Sequence, residues 1–115
     1  MLSVDPGGEH LLKRTAVHSV DQYLRHVAPQ YHARDISSGA VNRQSDEIGI
    51  FERSGDIVGF VRKFRPKRGY TFPWQAFAPA PPWGASVAPR LLGSFYGRTG
   101  MKQAVDAVVS NEGRK

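Results

Sequence analysis

The chain has 115 residues, a net charge of +6 and no cysteine. A chain of this length buries roughly two thirds of its unfolded surface, so its core needs no disulfide or metal staple. Without cysteine, disulfides and thiolate metal sites are excluded, and a reducing cytoplasm is the expected compartment. The start, MLSVDPGGEHLLKR, has no basic residue leading into an apolar run, so no secretion signal is expected. No stretch approaches the roughly 20 apolar residues of a membrane span. The uncharged run from Ala76 to Pro89 comes nearest, and Pro79, Pro81, Pro82 and Pro89 break it.

The charge is unevenly spread. Met1 to Ile57 holds six Lys/Arg against eight Asp/Glu, whereas Val58 to Lys115 holds ten against two. No acidic residue occurs from Val58 to Gln103. Such asymmetry points to a polyanionic partner: nucleic acid, an acidic protein or an anionic membrane surface. The plain alternative is charge that serves solubility.

In chain order, residues 1–17 contain Pro6, Gly7 and Gly8 and read as a loose N-terminal segment. Residues 18–29 read as a helix. Val20, Tyr23, Leu24, Val27 and Ala28 fall on one apolar stripe, Ser19 and Gln22 form an S-x-x-Q capping box, and Pro29 stops the helix. Residues 30–46 are polar and read as a linker. Residues 47–97 read as sheet. Ile48, Ile50 and Phe51 open a hairpin that turns at Arg53-Ser54-Gly55-Asp56 and returns over Ile57 to Phe64. By parity, Val58, Phe60 and Phe64 share a face with Arg62, and Ile57 and Val61 share the other with Lys63 and Arg65. Arg65 to Gly69 is a basic turn. Tyr70 to Ala78 is a third strand, assigned to an edge by Pro73. A Pro-rich loop spans 79–89, and Leu91 to Tyr96 is a short fourth strand. Residues 98–110 read as a helix with Met101, Ala104, Val105, Val108 and Val109 on one face, weakened at its start by Gly100. The expected fold is one α+β domain. A three- to four-stranded antiparallel sheet is covered by the C-terminal helix, with one additional N-terminal helix.

The densest chemical signal is Arg62-Lys63-Phe64-Arg65-Pro66-Lys67-Arg68-Gly69-Tyr70, with five cations in the seven residues 62–68. Lys and Arg neutralise phosphates, Arg forks onto guanine edges, and aromatic rings stack on exposed bases. The expected nucleic-acid footprint is Arg62, Lys63, Arg65, Lys67, Arg68 and Tyr70, extended by Arg90, Arg98 and Lys102. The competing reading is a solvated hairpin loop with Phe64 in the core. Phe60, Phe72, Trp74 and Phe77 invite a base-stacking reading, and core packing is preferred for them, because a domain of this size needs those rings inside. Pro81, Pro82 and Trp83 suit polyproline II docking in a partner's groove, or a loop folded back over the sheet.

His10, His18, His26 and His32 lack metal-ligand spacing and read as surface residues, so no metal is expected. There is no G-x-S-x-G, no phosphate-cradling glycine motif and no convincing acid pair. Asp46, Glu47 and Glu52 read as turn and strand-edge charges. A non-enzymatic protein without cofactor is therefore expected. The leading function is a nucleic-acid-binding or regulatory accessory protein. The alternative is a small inhibitor or adaptor that offers the Pro/Trp loop and the basic patch to an acidic protein.

From Ile48 onward, three strands and a helix end in Arg90-Leu91-Leu92-Gly93-Ser94-Phe95, then Ala104-Val105 and Ala107. This half of the chain resembles ethylene-response-factor-type domains and the related arm-binding domains of tyrosine integrases. There an L-G-[ST]-F strand leads into an alanine-rich helix. The resemblance implies a sheet face that enters the DNA major groove, with Arg62, Lys63 and Arg65 as the sheet-borne contacts. The chain departs from that pattern in the Pro-rich loop before Leu91 and in Gly100, where a good helix former is expected.

Overall fold

The computed structural model describes residues 8–37, 44–79 and 88–113. In chain order the elements are α1 (Gly8–Val27), β1 (Tyr31–Asp35), β2 (Ser45–Glu52), β3 (Ile57–Phe64), β4 (Trp74–Ala78), β5 (Arg90–Phe95) and α2 (Gly100–Gly113). The five strands form one antiparallel meander in the order β1-β2-β3-β4-β5. The α+β class and antiparallel pairing agree with the sequence reading, with one strand more than expected. No helix among the described residues is long and apolar enough to cross a membrane.

Both helices lie on one side of the sheet, α1 over β1 and β2, α2 over β3, β4 and β5. The apolar stripe of α1 delivers Ala16, Val20, Leu24 and Ala28 to this layer, and α2 delivers Ala104, Val105 and Val108. Ile48, Ile50, Val58, Val61 and Ala76 meet them from the sheet. Leu24, Ile48, Ile50, Val20, Val61, Val105 and Val108 are fully buried. Each such side chain contributes about 1.5–3 kcal/mol relative to an exposed one.

Several boundaries differ from the sequence reading for identifiable reasons. The N-terminal helix begins at Gly8, so residues 8–17 are helical rather than loose, and Ser19 sits inside the helix rather than at its cap. The stripe Ala16, Val20, Leu24, Ala28 repeats every four residues and carries the helix back past the supposed capping box. The supposed polar linker contains β1. Tyr31 and Ala33 pack against the core cluster on the helix side. By alternation His32 and Arg34 point to the other side, so the strand looks polar. The Ala33 amide donates to Asp21 Oδ1 at 3.1 Å and ties β1 to α1.

Pro73 does not mark an edge. It lies just before β4, outside the ladder, and β4 is an interior strand between β3 and β5. Tyr70 to Pro73 precede the strand rather than form it. A bulge opposite Ile50/Phe51 also overturns simple parity in β3. It sends Val58 into the helix-side core. Phe60 and Arg62 remain on the other face, paired with Phe77 and Gln75. The C-terminal helix starts at Gly100 because a Cβ there would stand 2.6 Å from the Phe95 carbonyl oxygen. The residue that weakens helix propensity is thus the one that lets α2 meet β5. Thr99 caps it, its carbonyl accepting from the Gln103 amide at 2.9 Å and its Oγ1 from Gln103 Nε2 at 2.7 Å.

The two helices are pinned by Tyr23, whose hydroxyl donates to Asp106 Oδ1 at 2.9 Å. Desolvation, followed by this hydrogen bond and the charge of Asp106, holds the Tyr23 phenol above its ordinary pKa of 10.0. A raised folded-state pKa contributes stability that is fully present below the unfolded value and is lost as pH rises through the folded one. Tyr23→Phe is therefore expected to cost about 1 kcal/mol at pH 7 in urea unfolding. Above the ordinary tyrosine pKa that difference shrinks. A Tyr23→Phe protein as stable as the parent at pH 7 would remove the pin.

Candidate nucleic-acid interface

The ladder brings three chain segments to one end of the sheet. Lys63 at the end of β3 pairs with Trp74 at the start of β4, and Trp74 pairs with Phe95 at the end of β5. Segments 65–73 and 96–99 therefore leave the sheet side by side. The first carries Arg65, Lys67 and Arg68; the second carries Arg98. Helix α2 starts at the same end with no acidic residue in its first turn, so its N-terminal partial charge adds to the positive field.

Within segment 65–73 the chain makes a tight turn. The Tyr70 amide donates to the Lys67 carbonyl at 3.0 Å. Gly69 takes a φ of 84°, the conformation a type II turn requires at its third position. Lys67 and Arg68 are exposed by this turn. Lys67 Nζ lies 4.9 Å from the Tyr70 ring centre. Tyr70 is 62% exposed and Phe72 38%. Their rings lie near parallel, 9° apart with centres separated by 6.0 Å, and Phe72 meets Phe64 at 5.4 Å. Beside them is a cavity of about 230 Å³ lined by Lys63, Phe64, Pro66, Tyr70, Phe72, Pro73 and Trp74.

The expected footprint divides. Arg62 Nε donates to Glu47 Oε2 at 3.3 Å, and its guanidinium covers the Phe77 ring at 4.7 Å. Arg65 Nη2 stands 3.9 Å from Asp46 Oδ1. The acid-free run in the sequence hid these pairs, because the carboxylates come from β2, across the ladder. Glu47 and Asp46 are thus partners of the basic strand. Lys63, Lys67, Arg68 and Arg98 make no ion pair among the described residues and remain together at the sheet end. Arg90 lies at the opposite end of β5 and donates to Asn111 Oδ1 at 3.1 Å. Lys102 turns to the helix layer, 5.7 Å from the Tyr23 ring centre. Neither extends the cluster. Pro81, Pro82 and Trp83 lie outside the described residues.

The rings read as core also separate. Trp74 packs against the core cluster. Phe60 is buried, as expected, but on the helix-free face, where it stacks on Phe77 at 4.7 Å, and Phe72 is at the surface. The sequence reading passed over a further group on that face: His32 stacks on Phe51 at 5.9 Å, with Arg34 5.4 Å from the same ring. Recognising β1 from the alternation in Tyr31-His32-Ala33-Arg34 would have found it. No group of three or more His, Cys, Asp or Glu suited to a metal gathers among the described residues. No family model, curated protein or solved structure matches the chain.

Proposed function

We propose that this chain is a small, non-enzymatic, cytoplasmic accessory protein that binds nucleic acid through the cationic end of its sheet. The observation that carries the reading is the gathering of Lys63, Lys67, Arg68 and Arg98 from two separate segments onto one end, beside the exposed Tyr70 and Phe72 rings. Cations that make no ion pair among the described residues are available to neutralise phosphates and release counterions. The ethylene-response-factor resemblance belongs to the same proposal, supported by β3, β4 and β5 leading into a helix that covers one face. The cross-strand pairs of Arg62 and Arg65 move the emphasis from the sheet face to the sheet end.

Five neutralised phosphates would give a log affinity against log salt slope near −4.5 on duplex DNA. With Arg62 and Arg65 engaged by Glu47 and Asp46, Lys63, Lys67 and Arg68 remain of the five, and with Arg98 they make four contacts and a slope of about −3.6. A filter-binding or anisotropy titration against heterologous DNA, begun at about 50 mM salt, measures this directly. Absence of detectable DNA or RNA binding at that salt would overturn the reading.

A further inference from the structure

We infer that the cavity beside the basic turn takes one unpaired nucleobase, so that the preferred partner is a single strand rather than a duplex. This rests on the nucleic-acid reading above and narrows it. Four observations lead here. Tyr70 and Phe72, beside Lys67 and Arg68, stay exposed, as does Tyr96 beside Arg98. Four of the seven residues that line the adjoining cavity are aromatic, Phe64, Tyr70, Phe72 and Trp74, and Lys63 lines it too. Its volume of about 230 Å³ is below the roughly 300–1,000 Å³ of sites for drug-sized ligands, which suits a single planar ring. Lys67 already sits over Tyr70, so a phosphate drawn to Lys67 or Arg68 brings its base to the rings.

A ring can stack only on a base whose π face is open, and in a duplex that face is covered by the neighbouring pairs. The helix-free sheet face is the surface that would read a duplex groove. There Arg62 is held by Glu47 and lies over Phe77, and Phe60 stacks on Phe77. Arg62 is thus held by a carboxylate within the fold, whereas Tyr70 and Phe72 at the turn, in contact with Lys67 and with each other, keep exposed ring surface. Base stacking is also tolerant of sequence, so the strand is recognised by exposed bases and phosphates rather than by base identity.

The test uses the full chain and four fluorescein-labelled probes of about 12 nucleotides, within the site sizes of single-strand binders. These are oligothymidine, oligouridine, a duplex of oligothymidine with oligoadenine, and an abasic strand with the same number of phosphates. Oligothymidine or oligouridine is expected to bind more tightly than the duplex and the abasic strand, and the tighter of the two assigns DNA or RNA. Tyr70→Ala and Phe72→Ala are each expected to weaken that binding about tenfold. They leave abasic binding and the salt slope unchanged, and Tyr70→Trp retains the affinity. Tyr70 is largely exposed, so its variants fold. Equal binding of the abasic and base-bearing strands, or a Tyr70→Ala protein that binds as the parent does, overturns the base site and leaves the phosphate footprint standing. No binding of any probe by the parent protein overturns both.

Discussion

Val105→Asp is expected to lower stability by about 3 kcal/mol or more, enough to unfold a domain of ordinary stability. Val105 is fully buried in the cluster that joins α2 to the sheet and to α1. No polar or charged residue is buried among the described residues, so the new carboxylate must stay charged without a buried partner, take up a proton, or open the layer. Because α2 covers β3, β4 and β5, loss of its packing removes the cover from most of the sheet. Thermal unfolding by circular dichroism checks this. A variant that melts with the parent would mean that α2 does not pack on the sheet as described.

Gly59→Ala is expected to cost about 3 kcal/mol, at the upper end of overpacking penalties, for a change of one methyl group. The added Cβ would stand 2.6 Å from both the Phe77 carbonyl oxygen and Val108 Cγ1. A side chain can turn away; the Phe77 carbonyl is part of the β4 backbone and cannot. Pairing Gly59→Ala with Val108→Ala therefore restores little, since it removes only the movable obstacle and opens space elsewhere in the core. Full recovery in the double variant would show that the backbone approach is not the constraint. The glycine that admits α2 here and the one that starts it, Gly100, act in the same way. At Gly59 the missing Cβ would meet the β4 backbone and the Val108 side chain of α2, and at Gly100 it would meet the β5 backbone.

The sequence made legible the elements whose burial is periodic. Val20 and Leu24 in α1, Ala28 just beyond its end, and Ala104, Val105 and Val108 in α2 are buried as their helical spacing requires. The β2–β3 hairpin was legible because Gly55 supplies the positive φ of its turn, at 102°. β1 was not, since an edge strand buries only alternate residues and Tyr31 and Ala33 alone carry the signal. The face of Val58 was not, because the bulge adds one residue to the count and a period-two rule cannot see it; the faces of Phe60 to Lys63 follow parity. The candidate interface was half legible. The cations are adjacent in sequence, so their density is plain. Whether each meets a carboxylate depends on the ladder, where Glu47 faces Arg62 and Asp46 faces Lys63 beside Arg65. Arg98 joins the cluster only through the antiparallel return of β5, and Phe72 leaves the core only because β4 starts after Pro73.

The central claim is that the cations of the sheet end hold phosphates, and the salt slope of Lys67→Ala/Arg68→Ala tests it most directly. The parent slope on duplex DNA is expected near −3.6, and removal of two of four contacts brings it to about −1.8. The melting temperature should barely move, because both side chains are exposed and exposed charges contribute little to stability. A double variant that binds with the parent's slope would contradict the account, because the phosphates would then be held elsewhere on the molecule.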